Sequence, residues 1–146
     1  MYDPEVSSNL RIDIDRLQAR LAELADIGGI AGTEGCARLA FTDEDRMGRD
    51  LVITWMRDLG LEVTIDVLGN AVGIMAGQVD GPPVMCGSHI DTVRTGGRYD
   101  GNLGVLAGLE IIETLRAAGV TPKRALAVAF FSNEEGARFS PDMLGS

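Results

Sequence analysis

Cysteine is scarce in this sequence. Cys36 and Cys86 are the only two, far apart and in no Cys-x-x-Cys pair, which excludes a zinc ribbon or a thioredoxin-type redox motif. A chain of this length needs no disulfide framework, and Cys86, inside an apolar run, reads as a small buried hydrophobe. Positive charge is short as well. Thirteen Lys and Arg stand against 22 Asp and Glu, a net charge of −9, which argues against nucleic acid or an anionic membrane as partner. Such a balance is compatible with cation binding. No apolar run approaches the ~18–20 residues of a membrane span. The start, Met1-Tyr2-Asp3-Pro4-Glu5, lacks the basic and apolar regions of a signal peptide, so the expectation is a soluble cytoplasmic protein. Histidine is scarcest of all: His89 is the chain's only one.

What is present describes one globular domain. The 146 residues are 45% hydrophobic and 24% charged, enough for a real core and not the composition of a disordered chain. Leu10, Ile14, Leu17, Leu21 and Leu24 lie at helical spacing and predict a helix over about residues 9–26, with Asn9 as its cap and Gly28-Gly29 as its stop. Residues 28–41 are glycine-rich and read as a loop. Thr42-Asp43-Glu44-Asp45 resembles a capping box. Met47, Leu51, Trp55 and Leu59 follow as the stripe of a second helix that Gly60 ends. Residues 61–67 alternate between apolar and polar, as a half-buried strand does. Gly69-Asn70 turns the chain, and residues 71–76 return as the hairpin partner.

Residues 84–88 read as a short buried strand. Leu103, Leu106, Leu109, Ile112 and Leu115 predict a helix over 103–118, capped by Asp100 or Asn102. Residues 125–131 are uniformly apolar, as in a strand covered on both faces. Strand, helix and strand in this order favour parallel pairing through a crossover. Ligands of open α/β sheets gather at the carboxyl ends of such strands. Two clusters sit there: His89, Asp91 and Asp100 after the first strand, and Glu134-Glu135 after the second.

Each residue has a plain reading beside a chemical one. A lone histidine at a strand end is by default simply a satisfied side chain. Asp91, two residues on, is placed to receive the second ring N–H of a metal-bound His89, which fixes its tautomer; it can equally be a turn residue. Asp100, between glycines, can bridge two metals or cap a helix. Glu134 and Glu135 are adjacent and point different ways. One can bind an ion while the other takes a proton from water, or both can be a surface pair at a helix start.

Together Gly87-Ser88-His89-Ile90-Asp91-Thr92-Val93, Gly97-Arg98-Tyr99-Asp100-Gly101 and Asn133-Glu134-Glu135-Gly136-Ala137-Arg138-Phe139 resemble the metal-site motifs of the M20 metallopeptidase superfamily. The short gap between His89 and Asp100, and Arg138-Phe139-Ser140-Pro141, are closest to its amidohydrolase branch: N-carbamoyl-L-amino-acid hydrolases, allantoate amidohydrolases and β-ureidopropionases. The resemblance implies an α/β fold, the N-terminal part of a zinc-peptidase-like catalytic domain with a mixed sheet and flanking helices. It implies two divalent ions (zinc, manganese, cobalt or nickel), with His89 on one, Asp100 bridging both and Glu135 on the second. Glu134 would then be the general base acting on the bridging water, and Asp91 the partner of His89. The implied reaction is cleavage of the carbamoyl (ureido) C–N bond of N-carbamoyl amino acids or allantoate. A small-molecule substrate follows, and a family that is usually homodimeric.

The family's site has two further histidines, both downstream of the glutamate pair. Residues 1–146 thus correspond to a single partial catalytic domain, without the lid or dimerisation domain and the C-terminal half of the catalytic domain. Each ion would have at most two protein ligands here, where catalytic zinc usually keeps three, and the sheet should show an open edge. Two other readings stand beside the ureido hydrolase: an M20-type peptidase or deacylase with the same metal chemistry, and a non-catalytic truncated remnant with no ion-dependent turnover.

Overall fold

The computed structural model describes residues 10–145. Three helices and four strands follow one another as α1 (Ile14–Asp26), α2 (Asp43–Asp58), β1 (Glu62–Ile65), β2 (Ala71–Met75), β3 (Val84–His89), α3 (Asn102–Ala117) and β4 (Leu126–Phe131). The sheet order is β1-β2-β4-β3. The β1–β2 and β2–β4 pairs are antiparallel and β3–β4 is parallel. This is the mixed α/β sheet with helices that the motifs imply. Among the described residues no helix is long and apolar enough to cross a membrane.

Helix α1 starts later than the leucine spacing suggests. Asn9 lies outside the described residues and Leu10 precedes the helix. Asp13 is the cap, its carboxylate accepting from the Arg16 N–H. A local side-chain acceptor thus sets the start, and the stripe that is buried is Leu17, Leu21 and Leu24. In α2 the cap is Thr42, as expected, accepting from the Asp45 N–H. Asp45 reaches back one residue beyond the cap, to the Phe41 N–H at 2.8 Å. The buried face is Gly48, Val52, Ile53 and Met56. The predicted stripe was one position off: Met47 is exposed, while Leu51, Trp55 and Leu59 pack at the margin of the core.

The sheet puts its best-buried strand inside. Ala127, Val128, Ala129 and Phe130 are all buried in β4. Gly73 and Val128 are register partners. A Cβ on Gly73 would meet Met56 of α2, and Gly108 of α3 lies against Val128. Both helices therefore cover one face, and α1 packs on α3.

The two outer strands depart from the alternation pattern. β1 spans four residues, and Ile65 and Val67 are exposed. In β3, Val84, Met85 and Cys86 are exposed rather than buried. Apolar periodicity reports which residues suit a sheet, not whether a neighbouring strand is there to cover them. β3 has β4 on one side only, so among the described residues its other edge is open, as expected.

Candidate metal centre

The parallel pairing places His89, last residue of β3, level with Phe131, last residue of β4. Glu134 and Glu135 follow after two residues, so both acidic clusters reach one carboxyl edge. His89, Asp100 and Glu135 each offer a ligand atom, and these atoms all lie within 4.8 Å of one another. His89 Nε2 is 3.3 Å from Glu134 Oε2 and 3.8 Å from Asp100 Oδ1. The imidazole is 5% exposed while the Asp100 side chain is 74% exposed.

Backbone geometry sets this arrangement. Gly101 has φ +67° and is the cap of α3, with no side-chain cap bond. The expectation that Asp100 or Asn102 caps the helix is not met, and Asp100 is left near His89. Asn102 is instead buried, its amide donating to the Arg98 carbonyl at 3.0 Å. Gly101 is also required sterically, since a Cβ there would sit 2.6 Å from the His89 Cε1 and Nε2. After β4, Asn133 takes a left-handed turn at φ +53°. Its amide donates to the carbonyls of Phe139 and Pro141, which fastens the loop behind the glutamate pair. Asparagine tolerates that conformation better than most residues, so its place just before Glu134 was a usable signal. The residue reading passed over it.

Asp91 acts differently from its expected part. His89 Nδ1 is 2.9 Å from the Asp91 backbone carbonyl, while the Asp91 carboxylate is 3.9 Å away. A carbonyl can only accept, so Nδ1 carries a proton, and Nε2 faces Asp100 and Glu134. The carboxylate of Asp91 accepts from the N–H groups of Glu134 and Glu135 at 3.2 and 3.3 Å. It ties the second cluster to the first.

The donor set suits a divalent cation. One neutral imidazole nitrogen and carboxylate oxygens are the ligands that zinc and manganese take. Burial pushes the Glu135 carboxyl up, His89 offsets this, and the carboxylates of Asp100, Glu134 and Asp91 push it further up. A cation between them relieves that crowding.

Sequence comparison places the chain among known proteins. Residues 85–146 match the model of Peptidase family M20/M25/M40. An N-carbamoyl-L-amino-acid amidohydrolase of Pseudomonas sp. (strain NS671) is 43% identical over 136 residues, covering 92% of this chain and 33% of that protein. A ureidoglycolate hydrolase of Arabidopsis thaliana is 37% identical, covering 97% of this chain and 30% of its own length. The crystal structure of a hydantoinase/carbamoylase family amidase from Burkholderia ambifaria superposes with a TM-score of 0.90 at 48% identity, over 93% of this chain and 34% of that one. The chain spans about a third of the length of these relatives. Over residues 85–146 the chain is thus similar to peptidase family M20/M25/M40, and over nearly all its length to about a third of an N-carbamoyl-L-amino-acid amidohydrolase and of a ureidoglycolate hydrolase.

Proposed function

We propose that this chain carries part of the catalytic domain of a metal-dependent amidohydrolase that cleaves the carbamoyl (ureido) C–N bond of small N-carbamoyl amino acids or allantoate. The observation that carries the reading is the convergence of His89, Asp100 and Glu135 within 4.8 Å. In this reading His89, Asp100 and Glu135 would hold the divalent ions, His89 and Glu135 one each and Asp100 shared between them. Such ions, when bound, polarise an amide carbonyl and lower the pKa of water.

The chain's own side chains do the rest. The Asp91 carbonyl keeps the proton of His89 on Nδ1, which leaves Nε2 free to ligate. The Asp91 carboxylate holds the backbone of Glu134 and Glu135 in register with β3. Glu134, beside His89 Nε2 but not needed as a ligand, takes the proton from the attacking water and delivers it to the leaving nitrogen. The similarity to N-carbamoyl-L-amino-acid amidohydrolase and ureidoglycolate hydrolase favours the ureido substrate over a peptide.

The test is ammonia release from N-carbamoyl amino acids and allantoate, with added manganese or zinc, by the purified chain and its Glu134→Gln variant. The expected result is metal-dependent release that the substitution lowers at least ~100-fold, the scale of a lost general base. Release that is equal in the two proteins contradicts Glu134 as the general base, and release absent from both shows that this part of the domain does not turn over by itself.

A further inference from the structure

Arg38 has no part in the chemistry above, yet it is the largest fully buried side chain among the described residues. It touches none of the three candidate ligands. Its Nε donates to the carbonyl of Ile90 at 2.9 Å, on the residue between His89 and Asp91. Its Nη2 donates to Asn102 Oδ1 at 3.1 Å, two residues beyond Asp100. Its Nη1 donates to the carbonyls of Leu24 and Ile27, each at 2.7 Å, at the end of α1. The backbone adds to the clamp. The Arg38 N–H donates to Thr92 Oγ1 at 2.7 Å, and the Thr92 N–H donates to the Arg38 carbonyl at 2.9 Å.

These oxygen acceptors are all neutral. Nη1 also donates to Cys36 Sγ at 3.3 Å, and a guanidinium buried without a carboxylate bonded to it carries a desolvation penalty of several kcal/mol. A hydrophobic side chain in its place would take from the Ile90 carbonyl and the Asn102 amide oxygen the donor each has here. A planar fork can reach carbonyls on three segments at once, whereas the ammonium of lysine offers its donors from a single point. The segments joined are the end of α1, the exit of β3 and the start of α3. The last two carry His89 and Asp100.

We propose that Arg38 is a positioning residue of the metal centre. By tying the Ile90 carbonyl to the Asn102 side chain, it sets the His89 segment against the Asp100 segment. The side chain holds the Ile90–Asp91 peptide, and the bond from the Thr92 N–H to the Arg38 carbonyl holds the next one, which carries the Asp91 carbonyl facing His89 Nδ1. The proposal rests on the reading of His89, Asp100 and Glu135 as ligands.

His89 is the chain's only histidine, so its ring nitrogens give one unambiguous pair of ¹⁵N NMR signals. With zinc added, those signals report which ring nitrogen carries the proton. The wild-type chain is expected to show the Nδ1–H form alone. Arg38→Lys is expected to show both tautomers and a roughly 10-fold weaker zinc affinity in competition titration, the scale seen when support behind a ligand is lost. Asn102→Ala removes one arm of the clamp and is expected to fall between. Glu110→Gln, which disturbs a buried carboxylate on another side of α3, is expected to lower thermal stability while leaving the tautomer and the zinc affinity unchanged.

If Arg38→Lys and Asn102→Ala behave like Glu110→Gln, Arg38 serves only the fold and the proposal is overturned. If Arg38→Lys does not fold, Asn102→Ala decides by the same two readouts. A wild-type His89 that already occupies both tautomers and binds no zinc contradicts the metal centre itself, a result distinct from failure of Arg38 alone.

Discussion

Arg16→Met destabilises the chain by about 3 kcal/mol, at the low end of the range for removing one partner of a buried ion pair. Glu110 on α3 is 1% exposed. Arg16 on α1 grips it with both arms, Nε to Oε2 at 2.8 Å and Nη2 to Oε1 at 2.7 Å. The Asp13 N–H and the Thr114 hydroxyl also donate to Oε1. These two bonds survive the substitution, which is why the expected loss is not larger. Arg16→Met with Glu110→Leu should recover most of it, because two packed apolar groups need no compensation.

The sign with pH follows from the same pair. Burial raises the Glu110 carboxyl, but the Arg16 fork, the Asp13 N–H and the Thr114 hydroxyl outweigh it, and the folded value lies below the usual carboxylate range. A depressed folded pKa contributes stability that is present above the unfolded value, ~4.3, and is lost as pH falls through the folded one. The gap between wild type and Arg16→Met should therefore be full at about pH 7 and nearly closed at about pH 2. Urea unfolding at the two values measures it. A gap that does not change with pH shows that Arg16 acts through packing alone.

Gly101→Ala acts on the site rather than on the core. The residue sits at φ +67° and ψ −52°, the γ-turn region that strains any residue with a side chain. The larger effect is steric. Its Cβ would lie 2.5 Å from the His89 carbonyl oxygen and 2.6 Å from two atoms of the ring. The ring must turn away, and the hydrogen bond from Nδ1 to the Asp91 carbonyl breaks with it. Zinc affinity should drop by roughly 10- to 100-fold, as when the support of a ligating imidazole is lost. Thermal stability should fall only by the backbone strain. Competition titration and a melting curve on one preparation separate the two effects. An unchanged affinity in a folded variant shows that the ring does not need its present orientation.

Part of this site was legible because strand ends can be read. Residues 125–131 are apolar without a break and predict an interior strand, and β4 is one. The glycine-rich stretch before α3 marks a loop, so His89, Asp100 and Glu135 fall on one edge once β3 and β4 are parallel. Other features depend on what lies across space. Cys86 reads as buried because its neighbours are apolar, but β3 has no outer neighbour here to cover it. Ile65 fails for the same reason at the end of β1, while Val67 lies in the turn that follows the strand. The spacing of Leu10 continues the α1 stripe, yet a local cap at Asp13 starts the helix later. Arg38 has no periodic signal at all. A buried arginine is defined by the carbonyls that converge on it, and these come from residues 11 to 64 positions away. The part taken by Asp91 was half legible. Its nearness to His89 follows from the spacing, whereas the choice between its carbonyl and its carboxylate depends on how the chain turns after β3.

The most direct test of the metal centre is calorimetric titration of zinc into the 146-residue chain and into His89→Ala. The account predicts a saturable binding event in the wild-type chain that weakens at least ~100-fold without the imidazole, a difference of about 2.7 kcal/mol. Identical isotherms would mean that the acidic surface binds the ion without His89, and that His89, Asp100 and Glu135 do not form a metal centre.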